Sequence, residues 1–394
     1  MAAHLLEWLN LVVRWSHMIF GIAWIGASFY FVWLENHLDR RAPRDGLAGD
    51  LWAIHGGGIY HLEKYKLAPP RMPEKLHWFK WEAYSTWLSG VALLTLVFYL
   101  EPSLYLLAPG SDLAPWLAVA IGLGSLALGW LTYDWLCDSP LGRQPLLLGI
   151  VLFGLLVAAA WGYSAVFSGR GAYLHVGALI GTIMVGNVFR TIMPAQRALV
   201  TAIAAGRTPD PALPAKGLLR SRHNNYFTLP VLFIMISSHF PSTYGSAWNW
   251  LILAAIAALS IGVRHYFNTR HLSQQFAWTL PAAALGMLCL AFVSAPRHES
   301  GAANAPVEFS QVQLVIAQRC ASCHAAKPSS PLFASAPAGV MFDSAAQIRQ
   351  QAARIKAQAV DSRIMPLGNL TQMTEAERAL LGRWISEQAQ PIAP

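Results

Sequence analysis

The chain has 394 residues, of which 55% are hydrophobic and only 12% charged, with a formal net charge of +8 and a mean hydropathy of +0.39. Soluble domains carry about 25% charged residues, so a water-soluble globule of this length would lack the groups to cover its surface. The same composition, rich in aromatics and poor in charge, excludes disorder. A polytopic membrane protein is what remains.

In chain order, eight apolar stretches stand out, at about residues 9–34, 82–101, 113–133, 144–167, 172–193, 226–240, 247–267 and 274–294. A bilayer-spanning helix needs roughly 20 mainly apolar residues, and each stretch is read as one. The sixth is short and holds Ser237, Ser238 and His239. Of the 16 Trp, all but Trp384 precede residue 295, and Trp8, Trp81, Trp116, Trp248 and Trp250 fall near proposed membrane interfaces, where an amphipathic ring is favoured. Residues 295–307 form a small-residue, Pro-containing linker, and residues 308–394 hold no apolar stretch. The expected organisation is all-α: an eight-helix transmembrane bundle over 1–294, a linker over 295–307, and a small helical domain over 308–394.

The basic residues can then be sorted by loop. Arg40, Arg41, Arg44, Lys64, Lys66, Arg71, Lys75 and Lys80 follow the first stretch; Arg197, Arg207, Lys216, Arg220 and Arg222 follow the fifth. On the alternate side the loop after the fourth stretch has only Arg170, and those after the second and sixth have none. The positive-inside bias puts both termini outside, in the periplasm. The first ten residues contain no Lys or Arg, so no cleaved secretory signal is expected. The +8 is a topology signal, and no nucleic-acid partner is expected.

Cys320-Ala-Ser-Cys323-His324 is a C-x-x-C-H motif, the attachment site of a c-type haem. Two thiols at this spacing can form thioethers with the vinyl groups while His324 reaches the iron. A bare Cys pair could be a redox disulfide or half a zinc site, but the His is present, and Cys137 and Cys289 lie in or beside membrane spans. The surroundings read as a small class I-like cytochrome c: helices over Phe309–Gln318, Ser344–Val360 and Glu375–Gln388, the last opened by a Thr374/Glu377 capping box. Met365, in the loop Arg363-Ile-Met-Pro-Leu-Gly-Asn369, is the expected distal ligand. Met341 and Met373 compete with it, although Met373 sits close to a helix start and Met341 lacks the loop context. Covalent haem attachment occurs outside the inner membrane, which agrees with the charge bias.

One helix would anchor such a carrier, so the remaining helices need another purpose, and ionisable residues within them are the first candidates. His17, His175 and His239 fall toward the periplasmic half; Arg190, Arg264 and His265 end helices on the cytoplasmic side. Lone Arg residues at helix ends can equally snorkel to headgroups. The cytoplasmic loops add His55-Gly-Gly-Gly-Ile-Tyr-His61, His77, the run Asn187–Gln196, and Arg222-His223-Asn224-Asn225. Arg forks, amides and aromatics together suit a flat, anionic, hydrogen-bonding heterocycle.

Trp24-Ile-Gly-Ala-Ser-Phe-Tyr30, the His55–Tyr65 segment, Leu76-His-Trp-Phe-Lys-Trp-Glu-Ala-Tyr84 and Arg222-His-Asn-Asn-Tyr-Phe-Thr-Leu-Pro230 resemble the integral-membrane urate hydroxylases of bacteria, which join an eight-helix membrane domain to a C-terminal cytochrome c. The resemblance implies oxidation of urate to 5-hydroxyisourate in purine breakdown. Electrons would pass to the chain's own haem and on to a respiratory acceptor, such as a cytochrome c or terminal oxidase, without hydrogen peroxide. Residue chemistry then assigns Arg190, Gln196, His77 and Arg222 to binding urate, and His223, Asn224, Asn225, His55 and His61 to the reaction.

A urate site on the cytoplasmic side would lie across about 30 Å of hydrocarbon from the haem, too far for one fast electron hop. Either the pocket opens nearer the periplasm, or a b-type haem held by His17, His175 or His239 bridges the span. Two other classes fit the same pattern: a quinol or other small-molecule dehydrogenase feeding a fused cytochrome, and a non-catalytic membrane anchor for an electron carrier.

Overall fold

The computed structural model describes residues 2–69, 71–108, 110–295 and 306–389; most of the proposed linker lies outside them. The chain is mostly helical. Helix α1 (Ala2–His37) leads into a hairpin of β1 (Leu47–His55) and β2 (Gly58–Tyr65), then α2 (Trp81–Leu94), which runs on as a π-turn over Thr95–Tyr99. A short α3 (Pro102–Tyr105) precedes α4 (Pro115–Asp138) and α5 (Pro145–Val166). Helix α6 (Gly169–Gly186) continues through a π-turn, Asn187–Ile192, into α7 (Met193–Ala204). Then come α8 (Ala212–Ser237), the single turn α9 (Pro241–Tyr244), α10 (Asn249–Thr269) and α11 (Thr279–Val293).

Among the described residues five helices are long and apolar enough to cross a membrane: His4–His37, Pro115–Asp138, Pro145–Val166, Gly169–Ala204 and Asn249–Thr269, with Thr279–Val293 a shorter apolar helix. Helices α4 and α5 both open on a Pro at their first turn, where the missing N–H has no partner to lose. Ser168 caps α6, its hydroxyl accepting from the Gly171 N–H at 3.1 Å.

Two expectations are corrected. The protein is not all-α, because the loop after α1 folds into an antiparallel hairpin in which Trp52 pairs with His61 and His55 with Gly58. Gly56 and Gly57 both have positive φ, 57° and 80°, as a two-residue hairpin turn demands. The glycine triplet is therefore turn chemistry. The sixth stretch is not short either. Helix α8 begins at Ala212 and absorbs Lys216, Arg220 and Arg222, which read as loop because they are charged; His239 lies just past its end.

The C-terminal unit has α12 (Phe309–Arg319), α13 (Ala345–Gln350), α14 (Ala352–Ile355) and α15 (Glu375–Ala389) around its own apolar cluster of Val312, Ile316, Ile348, Leu381 and Trp384. The helix expected over 344–360 is broken at Gln351 and ends as a π-turn, Lys356–Asp361. Its loop 362–370 lies against the bundle. Ile364 packs on the bundle's core cluster, and a Cβ on Gly368 would meet Leu104 of α3 at 3.1 Å. Ser362 abuts Gly245, next to α9. The hairpin and this docked loop thus mark opposite ends of the bundle.

The capping box at α15 is present: Thr374 N–H donates to Glu377 Oε2 at 2.7 Å, and Glu377 N–H to Thr374 Oγ1 at 3.2 Å. Burial pushes the Glu377 carboxyl up, but the Thr374 donors and Arg319 outweigh it and hold it below the usual 4.5. A depressed carboxylate stabilises the fold above its unfolded pKa, and the contribution is lost as pH falls through the folded value. Thr374→Ala should cost about 1 kcal/mol, read as roughly fivefold lower amide-exchange protection in α15. That loss should shrink in part as the pH drops below 4.5, because protonating Glu377 weakens the Thr374 Oγ1–Glu377 Oε2 bond in the parent chain while the Glu377 N–H to Thr374 Oγ1 bond stays.

Candidate active site

At the hairpin end, polar side chains from five helical segments meet in the interior. On α4, Tyr133 and Cys137 lie one turn apart, as do Asp134 and Asp138; on α8, Arg220, His223 and Asn224 share a face by the same spacing. Arg220 is completely buried, and its Nη2 donates to Asp134 Oδ1 and Asp138 Oδ1, both at 2.8 Å. Lys216 adds a second cation at 2.6 Å from Asp138. The guanidinium also lies 5.0 Å from the Tyr133 ring centre. This clamp fixes α8 against α4.

One turn further along α8, the Tyr133 hydroxyl lies 2.7 Å from His223 Nδ1 and accepts from Asn187 Nδ2 at 2.9 Å. With Asn187 donating to it, the Tyr133 hydroxyl is free to give its own proton to His223 Nδ1, in the tautomer whose ring proton sits on Nε2. Nε2 has no protein partner among the described residues. Asn187 Nδ2 also donates to Asn224 Oδ1 at 2.9 Å, and Asn224 Nδ2 donates to the Met184 carbonyl at 2.9 Å. Asn187 is placed by the π-turn, a wide turn often found at functional sites.

Asn225 points to the next side of α8. Its Oδ1 accepts from Arg264 Nε of α10 at 2.8 Å, and its Nδ2 reaches Ser28 of α1 at 3.4 Å. The Arg264 guanidinium stands 4.2 Å over the Phe29 ring. Buried polar atoms without a protein partner gather here: Arg264 Nη2, Arg220 Nε and Nη1, and Asn187 Oδ1. Unsatisfied buried donors cost free energy, and free guanidinium forks beside amides match an anionic, planar ligand.

Of the residues assigned to urate in the sequence, His223, Asn224 and Asn225 are in this cluster, together with Arg264 and Asn187, which the sequence marked without a role. The other assigned residues are not. Arg190, Gln196 and Arg222 are exposed on the outer faces of the π-turn, α7 and α8. His55 is exposed at the hairpin turn, and His61 stacks on Trp52 with its Nε2 2.7 Å from Asp50. His77 is exposed, 3.9 Å from Glu82. Sequence reasoning missed Tyr133, Asp134, Asp138 and the buried role of Arg220, although two carboxylates at i, i+4 in an otherwise apolar helix are a usable signal.

A cavity of about 560 Å³ runs between α1, α2, α6 and α8. Its inner end is walled by Trp24 and Met184, one turn from Ser28 and Asn187 respectively. His17 and Arg14 line it farther along α1, with Arg170 and His239 toward the docking end. His175 is elsewhere. It is fully buried, with Nδ1 bonded to the Gly171 carbonyl at 2.8 Å and Nε2 to the Tyr99 hydroxyl at 3.0 Å. Both ring nitrogens are engaged, so His175 is a structural group in an aromatic cage with Phe167 and Tyr163.

In the C-terminal unit, Cys320 and Cys323 are free thiols, and His324 Nδ1 donates to the Val340 carbonyl at 3.0 Å. That bond fixes the tautomer and leaves Nε2 as a lone-pair donor. Burial, with the neighbouring Cys323 adding to it, pushes the Cys320 thiol up to about 12, opposite to a thiolate tuned for redox exchange or metal binding. Met365 packs half-buried on the unit's core, while Met373 is fully inside it. Two thiols, a pre-oriented imidazole and a thioether in the same unit are the donor set that a covalent haem requires. Among the described residues no group of three or more His, Cys, Asp or Glu is placed to hold a bare metal ion.

Among curated proteins and solved structures, none matches the chain. A family model described as urate oxidase N-terminal matches residues 3–295, a stretch that contains the whole buried polar cluster and stops before the Cys pair. The match is to a urate oxidase-like protein and points to a urate-related oxidoreductase. Covering well over half of its 394 residues, it establishes that the chain belongs to the urate oxidase N-terminal family.

Proposed function

We propose that the chain is a membrane-bound urate hydroxylase of the bacterial inner membrane, with its C-terminal unit in the periplasm. The overall conversion is urate plus water to 5-hydroxyisourate, two protons and two electrons. What carries this reading is that the family match falls on the helices that own the buried Arg264–Asn225 and Tyr133–His223 groups, while a C-x-x-C-H unit follows in the same chain. The five membrane-length helices support the placement.

Urate is an electron-rich anion, and its oxidation makes C5 electrophilic toward water. Arg264 Nη2 and Arg220 Nη1 are buried N–H groups without an acceptor among the described residues. The Arg220 charge is already taken up by Asp134 and Asp138, so Arg264, which has no carboxylate partner among those residues, is the group suited to holding the anion. Asn187, Asn224 and Asn225 supply amide edges that select its donors and acceptors. His223 offers Nε2–H to a carbonyl oxygen or ring nitrogen of the anion, and Nδ1, facing Tyr133, is where a released proton can be held. An imidazole suits this near neutral pH. Cys320 and Cys323 would hold a c-type haem with His324 and Met365 on the iron, and the group would supply a one-electron acceptor.

Anaerobic urate should reduce the c-type absorption band of the purified full chain; no reduction would defeat the proposal. Arg264→Gln should raise the KM for urate by roughly ten- to a hundredfold, as the loss of a charged hydrogen bond of about 1.5–3 kcal/mol requires, with the c-type spectrum intact. Arg190→Ala should stay within about twofold of the parent, since an exposed surface change is worth roughly 0.5 kcal/mol or less. Tyr133→Phe should lower kcat roughly a hundredfold, within the usual range for lost proton handling, and change the pH profile while KM moves little.

A further inference from the structure

The buried polar cluster and the docked C-terminal loop are at opposite ends of the bundle. From Gly169 to Asn187 along α6 is about 27 Å at 1.5 Å per residue, so electrons released at one end cannot reach the other in one hop. The cavity occupies this interval. Along α1 its lining extends from Ile25 to Leu11, about 21 Å by the same rise.

The walls have a particular chemistry. The lining is mostly aliphatic and aromatic, and its size, about 560 Å³, falls in the roughly 300–1,000 Å³ range of cofactor sites. Two imidazoles line it: His239, exposed past the end of α8, and His17, half-buried on α1. His17 Nδ1 donates to the Thr86 carbonyl at 3.0 Å and is braced by Ser89 at 3.0 Å, which leaves Nε2 as a free lone pair. This is the arrangement of His324 on the Val340 carbonyl, also at 3.0 Å. His17 packs directly on Gly90 of α2, where a Cβ would come within 3.1 Å of the ring, and on the α6 side of the cavity Gly181 leaves open space, since a Cβ there would meet nothing within 4 Å. Toward the docking end the lining turns cationic, with Arg14 and Arg170, and Arg170 Nε is buried without a partner.

From these features we infer that the cavity binds a second, non-covalent haem, with His17 Nε2 on the iron and Arg14 and Arg170 facing the propionates. Of the three histidines marked in the sequence, only His17 has this role: His175 has no free nitrogen, and His239 sits at the rim beyond α8. Bound there, the iron would take the two electrons of urate one at a time and pass each on toward the C-terminal haem, while the two protons leave separately. The need for a relay rests on the proposed urate reaction; the ligand geometry does not.

The test is made on the detergent-purified full chain. Acid–acetone extraction leaves thioether-bound haem on the polypeptide and releases the non-covalent kind. About one extractable haem per chain is expected. His17→Ala and Gly181→Phe, the second filling open space without a backbone clash, should each lose at least three quarters of it and keep the covalent haem. No extractable haem in the parent chain overturns the inference, as does recovery of a quinone in its place, or retention of haem by both variants. Extractable haem lost in both variants, with neither haem reduced by urate, would uphold this site and defeat the urate reading alone.

Discussion

The Arg220 guanidinium, sealed inside the helical bundle, is held by counter-charges of its own. Arg220 has Asp134 and Asp138, and removing one side of such a pair leaves an uncompensated buried charge worth about 3–5 kcal/mol. The clamp has a geometric effect as well. It fixes both the rotation and the height of α8 against α4, and His223, Asn224 and Asn225 follow within five residues on the same helix. The Tyr133–His223 bond and the Asn187–Asn224 bond can form only in that register. Charge compensation therefore sets the position of the polar groups that make the site.

The same rule accounts for the orphans. Inside such a bundle water does not satisfy a stray donor, so polar groups pair within the protein. Most do: His175, Tyr99, Ser125 and Tyr163 are all engaged. Among the described residues eight buried atoms are exceptions, and four of them, Arg264 Nη2, Arg220 Nε and Nη1 and Asn187 Oδ1, belong to this one cluster. Arg170 Nε, on the wall of the cavity, is another.

Helix positions were legible in the sequence wherever hydropathy alone determines them, as in α4, α5 and α10. The Thr374/Glu377 cap was legible because its spacing carries its hydrogen bonds. Charged helix was not. The first half of α8 carries Lys216, Arg220 and Arg222, and in one dimension a basic run before an apolar stretch looks like a loop. Only the fold shows that Arg220 faces inward to Asp134 while Arg222, two residues on, faces out. Glycines misled in the same way: the triplet after His55 was grouped with the loops suited to a heterocycle, whereas positive φ at Gly56 and Gly57 serves a turn. The Arg190–Gln196 pair was chosen by residue type, and the wide turn that places Asn187 inside leaves both outside.

That wide turn has one more implication. A π-turn carries an extra residue relative to the α-helix on either side of it. Removing any one residue between Asn187 and Ile192 would let the helix close normally, but every position after it would rotate by about 100°. The whole of α7 would then turn a different face to α8, with Met193 and Ala195 leaving the interior they now occupy. Side-chain substitutions at the exposed positions of the turn alter one contact each, whereas a one-residue deletion re-registers the helix that follows. In this segment chain length is constrained more tightly than residue identity.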